Sequence, residues 1–209
     1  MQELEDWPEE EFPSLVRVKI SDCPKLRELP EAKFGSLEIL KISNCPKLRK
    51  LPSCFLDLEV LEIKKCDSLK AFAVPTLYMS SLILVNNPVL EDWHQDFYCL
   101  FRELKIICCL KLPALPQDCF TAGKLEISAC ELLTAFPDSG LFEGLEHLVL
   151  DDETLGKAIP VASDLISLVI SNISNATSLP KWPHLPQLKA LYIHNCKDLV
   201  SLSQEAAPL

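Results

Sequence analysis

The chain has 209 residues, 48% of them hydrophobic, and a formal net charge of −10. That is enough apolar material for a sizeable core, which excludes a disordered segment, and the acidic balance gives nucleic acid or an anionic membrane no general electrostatic pull. Gly is scarce at 5 and Pro plentiful at 16, a combination that suits short strands and tight turns better than long helices.

The charge is uneven along the chain. Residues 1–14 hold six carboxylates and no Lys or Arg, whereas residues 15–70 hold 12 of the 20 Lys/Arg against 8 acids, a local net of +4. The acidic opening Met1-Gln2-Glu3-Leu4-Glu5-Asp6 lacks the apolar stretch of a secretory signal. No apolar run approaches the roughly 18 residues of a membrane span. A cytoplasmic protein without a membrane span is therefore expected, with its ten cysteines kept as thiols. The sequons at Asn172 and Asn175 would matter only in the secretory pathway.

Alignment of the chain with itself shows a repeat. Leu15-x-x-Val18-x-Ile20-x-x-Cys23-x-x-Leu26-x-x-Leu29-Pro30 returns with starts at 37, 58, 79, 101, 122, 145, 165 and 188, spaced by 20 to 23 residues. The seventh copy is irregular (Leu145, Leu148, Leu150, then Glu153 and Ile159-Pro160), and the eighth has Ile173 where most units have Cys. Before them, Leu4-x-x-Trp7-Pro8 reads as the tail of a truncated unit in residues 1–14. With no polar capping helix after Leu202, the chain is expected to be a piece of a longer one.

The spacing dictates the architecture. The alternating apolar pair in each unit lies on one face of a short strand. One such strand cannot bury that face alone, so the copies are expected to stack as a parallel sheet sharing one core. At ~4.8 Å per strand the spine runs on the order of 40 Å. The closing Leu-x-x-Leu-Pro supplies a second apolar rung with its turn set by Pro, and Phe34, Phe55, Phe97, Phe120 and Phe142 in the return arcs are expected to pack behind the sheet. The expected fold is an α/β solenoid: one leucine-rich-repeat domain over 1–209, a horseshoe with the parallel β-sheet on the concave face and short loops and turns on the convex side.

Six cysteines (Cys23, Cys45, Cys66, Cys109, Cys130, Cys196) share one repeat position, with Asn87 in the same place in the fourth unit. They read as an internal ladder of thiols donating weakly to loop carbonyls, a role Asn87 would fill better. There is no Cys-x-x-Cys, His-x-x-x-His or phosphate-cradling glycine loop. His94, His147, His184 and His194 lie at no recognisable catalytic spacing. Asp151-Asp152-Glu153 reads as a solvated loop. Neither enzymatic activity, nor a cofactor, nor a metal site is expected.

Function is expected on the outward strand positions. The central column runs Lys19, Lys41, Glu62, Ile83, Lys105, Glu126, Val149, Val169 and Tyr192. Arg17, Lys64 and Lys65 flank it at one end, Ile39, Val60, Val85 and Ile107 add apolar area, and His194 lies beside Tyr192. A core column would be apolar in every unit; this one varies, as a surface does. The basic first units are expected to meet an acidic surface on a protein partner.

The units LVRVKISDCPKLRELP, LEILKISNCPKLRKLP and LKALYIHNCKDLVSLS resemble the C-terminal leucine-rich repeats of plant intracellular nucleotide-binding, leucine-rich-repeat disease-resistance proteins, most like those of the coiled-coil class. The opening LEDWPEEEFPSL is similar to a common inter-repeat stretch in them, so the resemblance spans essentially the whole chain. It implies recognition of a pathogen effector or an effector-modified host protein, and restraint of the receptor's own nucleotide-binding switch domain. The alternative is an adaptor or scaffold solenoid outside immunity, such as the substrate-binding part of a ubiquitin ligase.

Overall fold

The computed structural model describes residues 4–5, 7, 12–31, 34–52, 55, 57–74, 79–95, 101–115, 122–133, 142, 144–151, 162–174, 177–178 and 185–202. Its spine is a parallel sheet with one five-residue strand from each of nine units: β1 (Arg17–Ser21), β2 (Ile39–Ser43), β3 (Val60–Lys64), β5 (Ser81–Val85), β7 (Glu103–Ile107), β8 (Lys124–Ser128), β9 (His147–Asp151), β10 (Ser167–Ser171) and β11 (Ala190–His194). The strands stack in chain order, giving a parallel β-solenoid. No helix occurs among the described residues, and none is long and apolar enough to cross a membrane.

The core follows from the alternation. In seven strands from β2 to β10 the second and fourth residues are buried and the others partly or fully exposed. Leu40, Leu61, Leu82, Leu104, Leu125, Leu148 and Leu168 form one inward column. Ile42, Ile63, Leu84, Ile106, Ile127, Leu150 and Ile170 form the next. Behind the sheet, Phe34, Phe55 and Phe142 are buried as expected, and Phe34 packs edge-on against Trp7 at 5.6 Å and stacks near Phe55 at 6.5 Å. Phe97 and Phe120 lie outside the described residues, as do Asp152 and Glu153.

Two backbone turns recur among the described coils. After the strand, the residue at the Cys/Asn position accepts from the amide three residues on, as in Leu48 N–H to Cys45 C=O at 3.1 Å and Leu90 N–H to Asn87 C=O at 3.2 Å. Pro24, Pro46 and Pro88 follow that first residue, where the ring pre-sets φ for the turn. A second turn leads into the next strand, as in Leu37 N–H to Phe34 C=O at 3.4 Å.

Among the described residues, the second rung forms a continuous sheet where proline is missing. β4 (Ala71–Val74) and β6 (Asp92–Gln95) pair in parallel, and in both units the apolar residue, Phe72 or Trp93, is followed by a residue other than Pro. Where Pro30 and Pro52 or Pro180 follow, pairing shrinks to the isolated bridges Glu28–Lys50 and Ser178–Ser201. Proline has no N–H to extend the ladder.

The residue just past the strand is left-handed in every unit where it is described: Asp22, Asn44, Lys65, Asn86, Cys108, Ala129, Asn172 and Asn195 have φ between 50° and 57°. Asn and Asp tolerate this conformation, whereas a plain Cβ costs roughly 1–2 kcal/mol there. Ala129→Gly is therefore expected to raise stability by ~1 kcal/mol, read as a shift in urea midpoint at constant slope. A loss would mean that the strain at this turn is relieved in another way.

Candidate functional site

With the inward positions filled by Leu and Ile, the first, third and fifth residues of each strand form three columns on the open face. The register places Lys19, Lys41, Glu62, Ile83, Lys105, Glu126, Val149, Val169 and Tyr192 directly opposite one another along the central column. Arg17 opens the first column; Lys64, Val85 and His194 lie in the third. All thirteen candidate residues are on one surface. Lys65 is not with them. It is the exposed left-handed residue just beyond β3 and falls outside the strand register.

The basic zone is smaller than its composition suggests. Lys41 and Lys64 converge on one carboxylate, Glu62, at 2.9 and 2.6 Å. Partial burial works to raise the Glu62 carboxyl, but the two ammonium groups outweigh it and hold the pKa below the ordinary value. Lys105 is likewise paired with Glu126 at 2.6 Å. Such exposed pairs add little stability, but they remove charge from the face. Of the open-face cations of the first three units, Arg17 and Lys19 have no ion-pair partner among the described residues.

Between the two charged clusters the face is apolar. Ile83 in the central column and Val85 in the third lie on β5 between them, Val85 pairs with Ile107, and Ile39 pairs with Val60 in the first column beside Lys41 and Glu62. A run of apolar side chains rimmed by charge is what a protein-recognition patch offers. At the far end the rings of Tyr192 and His194 stack with centroids 6.3 Å apart, and Tyr192 is 50% exposed.

Three features escaped the sequence reading. A depression of ≈ 230 Å³ opens over β7–β9 between Glu103, Lys124 and His147 of the first column and Lys105, Glu126 and Val149 of the second. Alternation from the central column would have located its first-column residues. Asp151 accepts from the Ser128 hydroxyl at 2.6 Å and from the Asn172 amide, which ties three units together at the strand ends. A third group, the cations past the strands, lies on the coil flank. Among the described residues, no three His, Cys, Asp or Glu gather closely enough to hold a metal ion.

Behind the strand ends the ladder position is filled as its repeat period predicts. The thiols of Cys23, Cys45, Cys66, Cys109, Cys130 and Cys196 donate to the carbonyl two residues back, at 3.2 to 3.6 Å. Three ladder thiols also serve the preceding coil: the sulfurs of Cys45, Cys66 and Cys109 take the backbone N–H of Cys23, Cys45 and Asn87. Asn87 does the same with better chemistry. Its Oδ1 accepts from Cys66 N–H at 3.1 Å and its Nδ2 donates to Ile63 C=O at 2.9 Å, where Cys109 and Cys130 reach the equivalent carbonyls only at 3.9 and 3.7 Å. Burial pushes the Cys66 and Cys109 thiols up to about 12, and raises Cys45 too. These sulfurs are structural and not nucleophilic. Compared with known proteins, the chain matches no family model and no curated relative.

Proposed function

We propose that this chain is a protein-recognition module: the leucine-rich-repeat region of a plant intracellular immune receptor of the nucleotide-binding, coiled-coil class. In this reading it acts in the cytoplasm by binding rather than catalysis, with its sheet on the concave side of a horseshoe. It senses a pathogen effector or an effector-modified host protein and restrains the receptor's switch domain. The observation that supports it best is the contrast between columns. Two inward columns stay apolar through the stack, while the outward column in the same register changes charge and size from unit to unit. A surface kept in place by an unchanging core but free to vary is suited to partner choice. The repeat units quoted above supply the link to immunity.

The test is co-precipitation of this chain with a nucleotide-binding switch domain of that class, before and after charge reversal. Arg17→Glu with Lys19→Glu is expected to weaken association about tenfold. Lys41→Glu should do less, because Glu62 already offsets that charge and keeps Lys64. Unchanged binding in the double variant would remove the basic end from the interface. Retention of a ubiquitin-ligase core subunit in place of the switch domain would favour the adaptor reading.

A further inference from the structure

The flank of the solenoid beyond the strands has its own charge pattern. Eight residues past the centre of each strand, successive coils carry Arg27, Arg49, Lys70 and Glu91, and Glu5 holds the matching place in the coil before β1. Six residues past the centre they carry Lys25, Lys47, Ser68, Val89 and Lys111. Backbone bonds keep the coils stacked here, as in Arg49 N–H to Arg27 C=O and Glu91 N–H to Lys70 C=O, both 2.8 Å.

A diagonal joins the first of these positions in one coil to the second in the next. Twice it is an ion pair: Glu5 with Lys25 at 2.9 Å and Glu91 with Lys111 at 3.1 Å. In the coils between, the same diagonal holds Arg27 and Lys47, two cations and no acid. Arg49 and Lys70 continue the ridge, and all four are exposed with no ion-pair partner among the described residues. Lys50, beside them, is already paired with Glu31 at 2.9 Å. The Glu5 carboxyl is held below its ordinary pKa chiefly by Lys25, with the charges of Arg27 and Lys47 adding to the effect.

We propose that Arg27, Lys47, Arg49 and Lys70 form a docking ridge for a short acidic peptide segment of a partner protein, a carboxylate of which completes the diagonal between Arg27 and Lys47. The ridge spans three coils, ~10 Å, the length of about three extended residues. A long polyanion fits badly. The same coils present Glu38, Asp57 and Glu59 around a groove on the entry side of the strands, and the chain carries −10 overall. This surface is separate from the open face and does not depend on the immune reading.

The experiment uses the full chain and a fluorescent hexaglutamate peptide at physiological salt. Wild type is expected to bind saturably. Arg27→Glu should weaken binding about tenfold while leaving the melting temperature level or slightly higher, since the new carboxylate pairs with Lys47. Lys47→Glu should act likewise, and Lys189→Glu in the last coil, away from the ridge, should change nothing. Absence of saturable binding would overturn the proposal. So would an equal loss from Lys189→Glu, or tighter binding of phosphatidylserine vesicles, a phosphopeptide or oligo-dT than of hexaglutamate.

Discussion

Stability is expected to fall steeply above pH 9, driven from inside the cysteine ladder. Cys66 and Cys109 are pushed from an ordinary 9.0 to about 12, first by burial and then by the neighbouring sulfur of Cys45 or Cys130. Below pH 9 both thiols are neutral in the native and unfolded chains alike, so their contribution is constant. Between pH 9 and 12 the unfolded chain releases these protons while the native one holds them. Each thiol then costs about 1.4 kcal/mol of stability per pH unit. Two thiols over two units remove roughly 5 kcal/mol, a large part of the 5–15 kcal/mol typical of a folded domain. Urea midpoints at pH 8, 9, 10 and 11 measure this for wild type and for Cys66→Ala with Cys109→Ala. The double variant should start less stable, from the two cavities, but lose less with pH. Parallel curves would show that other groups, such as Tyr or Lys, cause the alkaline loss.

The second large effect is expected at Asn87, the one buried polar side chain among the described residues. Replacing it by Ala leaves the buried Cys66 N–H without a partner and removes the side-chain bond to Ile63 C=O. The cost is about 2–4 kcal/mol, seen in the urea midpoint. Asn87→Cys should recover more than half of it, because sulfur at this position elsewhere both takes the preceding coil's N–H and reaches its carbonyl. If Ala and Cys prove equally damaging, the amide serves packing shape rather than the two hydrogen bonds. Because Asn87 bonds to the backbone of Cys66 and lies against Cys109, its effects and those of the thiols are not expected to add.

Much of this was legible in the chain. Within a five-residue strand the period of two decides which side chain goes in, and the 20-to-23-residue spacing decides which residues lie opposite. Those two periods placed Lys19 to Tyr192 in one row, put Leu and Ile behind them, and identified Asn87 as the stronger hydrogen-bonding member of the ladder. The family resemblance came from the same units and remains a matter of sequence.

The pairing of charges was not legible. Glu62 looked like a break in a basic column, but it gathers Lys41 and Lys64, because ammonium groups on long side chains reach across a ~4.8 Å rung in a direction that spacing does not specify. Lys65 looked like part of the face; its left-handed backbone places it just past the strand, outside the register. Residues eight and six positions past neighbouring strand centres became partners only once the coils were stacked. The sequence by itself determined the stack, its register and its inward and outward columns, because local periodicity and hydrophobic burial suffice for that. Tertiary structure alone decided which charges are spent on one another and which stay available, since that depends on distances between side chains about twenty residues apart.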